Sequence, residues 1–312
     1  MTAAREPAAN EPAGLGSAGP VSAGGAGVRL SCVILTMGNR PAELRRAIDS
    51  VRALDGAPVD LVVVGNGADV PPSAGTVTAV RLPQNVGVAA GRNAGVDAAS
   101  GDVVLFLDDD GWYPDRTLGQ HVAARFGAEP RLAVLSFRVV DPGGGAGARW
   151  HVPRLRVGDA GRSSPVTTFS GGACAIRRSA YLAAGGLPAA FFYAHEEIDL
   201  SWRLVERGYR LEYDGAARMC HPPVPNSRHA GFYRLDGRNR VLLARRNLPW
   251  PLAAAFLADW LVLTVVRVRS GAAVRAWLSG FAEGWRMDPG DRRPISARTV
   301  WRLTRAGRPP VI

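Results

Sequence analysis

Apolar and polar positions alternate along the chain in blocks that predict short strands and helices in turn. Val28-Arg29-Leu30-Ser31-Cys32-Val33-Ile34-Leu35 reads as a first strand running into Thr36-Met37-Gly38-Asn39-Arg40-Pro41. Pro41 suits the first turn of the following helix, where Leu44, Ala47, Ile48, Val51 and Leu54 recur at helical spacing. Val59 to Val64 is a second strand, stopped by Gly65-Asn66-Gly67, and Val77 to Leu82 a third. Asn85 to Ala99 reads as loop and helix, with Val88, Ala89 and Val96 facing inward. Val103-Val104-Leu105-Phe106-Leu107 is unbroken and apolar, the pattern of a strand buried on both faces of a parallel sheet.

The alternation continues with a helix over 115–126 and a strand over 132–140. Residues 141–165, rich in Gly, Pro and Arg, read as a long surface loop of the kind that often carries function. A strand is expected over 169–176, a short helix over 178–184, a helix over 196–207 and a return to the sheet at Leu211 to Tyr213, ended by His221-Pro222-Pro223. Strand–helix alternation with short connections predicts an α/β fold with a mostly parallel, doubly wound sheet. The remainder reads as helical. Its longest apolar stretch, Leu252 to Val266, is interrupted by Asp259 and reads as short and charged for a membrane span. Arg245, Arg246, Arg267 and Arg269 flank it, and Trp250 and Trp260 lie in or beside it. That pattern fits an interfacial helix and fits equally a helix packed on the main core.

The 312 residues allow one large domain with an appendage. Residues 1–28 are mostly Ala, Gly, Pro and Ser with few large apolar side chains and are expected to be disordered, with no secretory signal. Residues 29–245 form the expected main domain and 246–312 a basic, amphipathic, helical C-terminal segment. Cys32, Cys174 and Cys220 match no metal or disulfide spacing and fit buried thiols of a cytoplasmic protein. The net charge of +11 is segregated: 16 Arg against 5 acids from Arg228 onward, but 22 against 22 before it. All basic residues are Arg, which GC-rich codon usage explains, but the segregation points to an anionic surface as partner of the C-terminal segment.

Four clusters carry candidate chemistry. Asp108-Asp109-Asp110-Gly111 follows the buried strand, where open α/β sheets place their ligands. Three adjacent carboxylates call for a cation, so the first expectation is a divalent metal and a phosphorylated substrate. In His195-Glu196-Glu197-Ile198-Asp199-Leu200, Glu196 and Asp199 share a helix face and Asp199 can pair with Arg203. Acids in a first turn also complement the helix dipole, so this cluster alone decides nothing. Gly87 to Gly95 offers small residues at a helix start together with Arg92, suited either to a phosphate or to close helix–sheet packing. His221 follows a strand and can complete an oxygen-rich Mg²⁺ or Mn²⁺ site.

Taken in order, these segments resemble the family 2 glycosyltransferases of GT-A fold across roughly residues 29–245, nearest the rhamnosyl- and galactofuranosyl-transferase branch. The segments are Leu35 to Arg40, Asn85 to Gly95, Asp108-Asp109-Asp110 as a D-x-D motif, Gly171-Gly172-Ala173 to Arg178, and Glu196-Glu197-Ile198-Asp199-Leu200 with Arg203. The resemblance implies that Asp108 faces the donor's ribose or sugar, that Asp110 and His221 hold Mg²⁺ or Mn²⁺ on the diphosphate, and that Arg92 contacts the nucleotide. Thr36 would line the base pocket, and Asp109 and Gly172 count among the donor contacts. Glu197 would be the base, with Glu196 and Asp199 as the other carboxylates able to serve. Where the family commonly reads Val-Asp-Asn-Gly-Ser, this chain reads Val64-Gly65-Asn66-Gly67-Ala68. The Asp that usually meets a pyrimidine base is absent, and Asn66 is the residue available to substitute.

The implied activity is a metal-dependent, inverting transfer from a nucleotide-diphosphate sugar, a UDP- or dTDP-sugar first, to a hydroxyl of a glycan, a lipid-linked acceptor or a secondary metabolite. The setting would be the cytoplasm or the inner membrane face, without nucleic acid. Two other readings compete. A sugar-phosphate nucleotidyltransferase usually has a basic Gly-rich loop after its first strand, where this chain has Thr36-Met37-Gly38-Asn39-Arg40. A non-enzymatic basic scaffold for membrane or nucleic acid leaves the acidic motifs without use.

Overall fold

The structure, a computed structural model, describes residues 27–56, 60–70, 77–143, 148–222 and 231–311. Apart from residues 27 and 28, the expected disordered segment lies outside the described residues. In chain order the first half runs β1 (Leu30–Thr36), α1 (Pro41–Arg52), β2 (Asp60–Asn66), β3 (Thr78–Leu82), α2 (Gly87–Ala98), β4 (Val103–Asp108), α3 (Leu118–Ala128) and β5 (Leu132–Val140). It continues through β6 (Ser164–Pro165), β7 (Ala173–Arg177), α4 (Arg178–Ala183), α5 (Glu196–Glu206) and β8 (Arg210–Cys220). Four helices follow: α6 (Phe232–Asn247), α7 (Trp250–Arg267), α8 (Gly271–Arg286) and α9 (Ala297–Arg305).

The strands form one sheet in the order β3-β2-β1-β4-β7-β5-β8-β6. Pairings β3–β2, β2–β1, β1–β4 and β5–β8 are parallel. β7 is antiparallel to both β4 and β5, and β6 is antiparallel to β8. The antiparallel β7 departs from a purely doubly wound sheet. Gly171 and Gly172 lead into it directly beside the end of β4.

β4 shows why its run is apolar throughout. Val104 and Phe106 enter the core on one face, while Val103, Leu105 and Leu107 enter the core on the other. Its last residue, Asp108, emerges at the sheet's carboxyl edge. α2 lies close on β1 because Gly91 and Gly95 carry no Cβ. A Cβ on Gly91 would sit 2.6 Å from Leu35 Cδ1, and one on Gly95 would overlap Val33. β8 is much longer than the expected Leu211 to Tyr213. It pairs with β5 across an irregularity at Phe137/Arg138 that absorbs Gly215 to Ala217, and so carries Cys220 and His221 to the same edge as Asp108.

The C-terminal helices share the main core. Val241, Leu242, Leu243, Phe256, Ile295 and Leu303 belong to one buried cluster with Val104, Leu200 and Leu211. The expected boundary at 245 falls in the last turn of α6. α8 crosses α6 at glycine contacts: a Cβ on Gly237, Gly280 or Gly284 would run into the backbone of the other helix. α7 is long and apolar enough to cross a membrane by length and composition, and only 22% of it is buried within the protein.

Candidate active site

The site forms where β1, β4 and β8 end and where α2 and α5 begin. Asp108, Asp110 and His221 each direct a ligand atom into one spot, and these atoms lie within 4.8 Å of one another. His221 Nε2 is 3.0 Å from Asp110 Oδ1, and its Nδ1 lies 2.6 Å from the Pro222 carbonyl oxygen. Burial disfavours charge on His221, but the hydrogen bond to Asp110 and the nearby Asp108 outweigh it and raise the imidazole's pKa. Two carboxylates and one imidazole suit Mg²⁺ or Mn²⁺, which take mainly oxygen donors. The predicted pair Asp110 and His221 is thus brought together, and Asp108 joins it as a third donor.

Asp109 faces inward. It is buried, accepts from Thr36 Oγ1 at 2.7 Å and from Arg40 at 3.1 Å, and its pKa is pushed up to about 6, chiefly by burial. Arg40 also donates to Asp110. Thr36 is 2% exposed, and its hydroxyl donates to Asp109 and accepts from the Gly38 N–H. Asn66 is likewise committed. Its amide donates to Asn85 Oδ1 and Gly87 O and accepts from Val86 N, which fixes the turn from β3 into α2. It therefore does not present a free amide in place of the missing Asp. Gly65 has a steric reason to be glycine, since a Cβ there would overlap the Ala68 carbonyl.

Arg92 is the hub of the second half. It lies almost wholly buried on α2, donates to Asp108 Oδ1 at 3.0 Å, and comes within 3.8 Å of Glu197 and 4.0 Å of Glu196. Burial works against its charge, but the three carboxylates outweigh that penalty and raise its pKa. Gly171 and Gly172 pass between these groups. A Cβ on Gly171 would overlap Arg92 and Glu197, and one on Gly172 would overlap the Asp108 carboxylate. The Gly-Gly pair is thus required by close approach, not by φ.

Glu196 and Glu197 open α5. Burial raises the pKa of both, and their mutual repulsion raises that of Glu196 further. Glu196 is the deeper one, 2% exposed with Oε2 lacking a hydrogen-bond partner, while Glu197 retains 21% side-chain exposure. Burial and repulsion act more strongly on Glu196, so protonation favours it over the more accessible Glu197 carboxylate. Asp199, the third candidate, is fully buried and saturated. It accepts from Arg203 Nε at 2.8 Å, Arg246 Nε at 3.0 Å and Asn247 Nδ2 at 2.7 Å, tying α5 to the end of α6. These contacts commit its carboxylate to holding the two helices together.

Two site residues escaped the sequence reading. Arg40 ends the Leu35 to Arg40 segment but was given no role of its own. His151 lies in the 141–165 loop, with its ring centroid 5.6 Å from that of His221. Its pKa is lowered to about 4, mainly by burial and then by His221.

This fold, with carboxylates at the end of a central strand beside an antiparallel insertion, is that of the GT-A glycosyltransferases. Solved structures agree. GalNAc-T7 with UDP, GalNAc and Mn²⁺ superposes with a TM-score of 0.59 at 14% identity, covering 84% of this chain and 57% of that one. The mannosyltransferase PcManGT from Pyrobaculum calidifontis, in complex with GDP-Man and Mn²⁺, does so at 0.52 and 17% identity, covering 90% and 85%. Residues 32–183 match the model of the family described as Glycosyl transferase family 2. A pre-mycofactocin glycosyltransferase of Mycobacterium tuberculosis (strain CDC 1551 / Oshkosh) is 29% identical over 261 residues, 79% of this chain and 51% of that protein. The chain spans about half the length of the curated relatives it matches.

Proposed function

We propose that the protein is a metal-dependent, inverting glycosyltransferase that moves a sugar from a nucleotide-diphosphate sugar to an acceptor hydroxyl. One observation carries this reading: three possible cation ligands at the end of β4 are linked through Arg92 to a separate carboxylate pair. A metal site alone fits many phosphate enzymes, whereas a metal site facing an independent base fits direct displacement.

Asp108, Asp110 and His221 would hold Mg²⁺ or Mn²⁺, which when bound neutralises the diphosphate leaving group. Glu197 accepts the acceptor's hydroxyl proton as its oxygen forms the new bond to the anomeric carbon. The bond to the diphosphate breaks on the opposite face, and the nucleoside diphosphate leaves with the electron pair. Glu196, carrying its proton, keeps the pair from a double negative charge. Arg92 fixes Asp108 and Glu197 relative to each other and adds positive charge beside the donor. UDP- and dTDP-sugars are the first donors to test. The acceptor hydroxyl belongs to a glycan, a lipid-linked sugar or a small metabolite. Donor hydrolysis followed by NMR tests the stereochemistry: the sugar first released carries the inverted anomeric configuration, and retained configuration refutes the single displacement.

We further propose an anionic membrane surface as the partner of α7 and α8. Leu261, Val262, Val265 and Val266 are exposed beside Arg267, Arg269 and Arg275, for which no ion pair occurs among the described residues. Apolar side chains interleaved with cations suit an acidic bilayer surface. Co-sedimentation with phosphatidylglycerol vesicles but not with phosphatidylcholine vesicles is the expected result.

A further inference from the structure

The four residues before α5 follow an unusual path. Phe192, Ala194 and His195 have φ of 63°, 73° and 70°, the only non-glycine residues with positive φ among those described. L-residues avoid this region, so the surroundings must hold them there. The restraint comes from α6, which begins 49 residues beyond the end of the family-matched segment. Asn239, fully buried, points its Nδ2 at three nearby backbone carbonyls: Phe191 O at 2.9 Å, and Tyr193 O and Ala194 O both at 2.8 Å. Its Oδ1 accepts from Arg238 Nε at 2.9 Å, which fixes which end of the amide faces the loop. Arg238 also donates to Phe191 O at 2.8 Å, and His195 Nε2 meets Asp236 Oδ1 at 2.8 Å. At its other side the loop meets α2: Val88 N donates to Phe192 O at 2.6 Å, and Gly87 leaves no room for a Cβ there.

We propose that Asn239 is a positioning residue that holds the Phe192–His195 loop in its left-handed path and so sets Glu196 and Glu197 against Arg92. The loop touches both arms of the site, the start of α2 and the start of α5. No other side chain among the described residues meets three carbonyls of residues 191–194 at once. The C-terminal helices thereby belong to the active site's scaffold. The inference rests on the proposed glycosyl transfer for its kinetic consequence only; the clamp itself is readable without activity.

The test compares the full-length protein with Asn239→Ala, and with Asn239→Ala combined with Ala194→Gly. Glycine accepts positive φ without a Cβ clash and so removes part of what Asn239 must restrain. Hydrogen exchange at the amides of Tyr193 to Asp199 should accelerate at least about tenfold in Asn239→Ala, while β1 and β4 exchange as before. Turnover should fall by about 10- to 100-fold, since small misplacements of reacting groups carry penalties of that order. Ala194→Gly should restore part of both. Unchanged exchange in the loop, exchange raised equally across the sheet, or no recovery with Ala194→Gly overturns the proposal. If Asn239→Ala does not fold, His195→Ala against His195→Gln makes the same comparison through Asp236. If the unmodified protein turns over no nucleotide sugar, the catalytic reading fails, and the exchange measurement still decides the clamp.

Discussion

His221 Nε2 lies 3.0 Å from Asp110 Oδ1, joining the end of β8 to the end of β4 across 111 positions of sequence. The contact exists because β8 extends past its irregular pairing with β5 and delivers His221 to the edge where Asp108 and Asp110 already sit. Replacing His221 by Ala should weaken Mn²⁺ binding by about 10- to 100-fold, and Asp110→Ala should abolish it, as measured by calorimetric titration of Mn²⁺ into the protein with UDP present. Wild-type affinity in Asp110→Ala removes that residue from the metal site.

Glu197→Gln should lower turnover by about 10²- to 10⁴-fold with donor binding retained, the range general base catalysis supplies. Because the pKa of Glu197 is raised, the acid limb of the rate profile should lie above the ordinary carboxylate range. A normal rate in this variant would transfer the role to Glu196.

Glu196 gives a separate, structural prediction. Its folded-state pKa is raised above the unfolded value by burial and by Glu197. The folded protein then binds more protons than the unfolded chain between the two values, so stability falls as pH rises through that window. Glu196→Gln is neutral at every pH. It should match the wild type near pH 4 and melt several degrees higher near pH 8. Equal melting curves at both pH values would contradict the assigned protonation.

Asp199→Ala should destabilise the fold by about 3–5 kcal/mol, because it leaves the buried Arg203 and the nearby Arg246 without their shared carboxylate. Chemical denaturation reads this directly. A stable, folded Asp199→Ala lacking activity would return Asp199 to the chemistry.

Gly65→Asp restores the family's usual residue but should not improve pyrimidine nucleotide affinity. Its Cβ would overlap the Ala68 carbonyl, and Asn66 is already engaged with Asn85, Val86 and Gly87. Tighter UDP binding in this variant would show that the turn can reopen.

The fold was legible where burial dictates composition. β4, β5 and the starts of α1, α4 and α5 follow from apolar runs and helical spacing, because a strand buried on both faces admits little else. The antiparallel direction of β7 was not, since a strand's own residues carry no record of its partner's direction. The length of β8 was hidden because Gly215 to Ala217 fall out of register with β5 and break the apolar alternation. Asp108, Asp110, Arg92, Glu197 and His221, grouped by motif order in the sequence, lie together at one edge of the sheet. What failed was the distinction between polar groups that face a ligand and those that face the fold. Asp199 is satisfied by Arg246 and Asn247, 47 and 48 residues downstream, and Thr36 by Asp109, 73 residues away. Such pairings are tertiary, and motif spacing does not contain them.

The central claim is a metal–diphosphate clamp facing a separate base. Its most direct measurement is nucleoside diphosphate release from a panel of UDP-, dTDP- and GDP-sugars with Mn²⁺, run side by side for the wild type, Asp110→Ala and Glu197→Gln. The account predicts release from at least one donor, lost on chelation of the metal and in Asp110→Ala, and strongly slowed in Glu197→Gln. Release that persists undiminished in Asp110→Ala or after chelation, or no release from any donor, would contradict it.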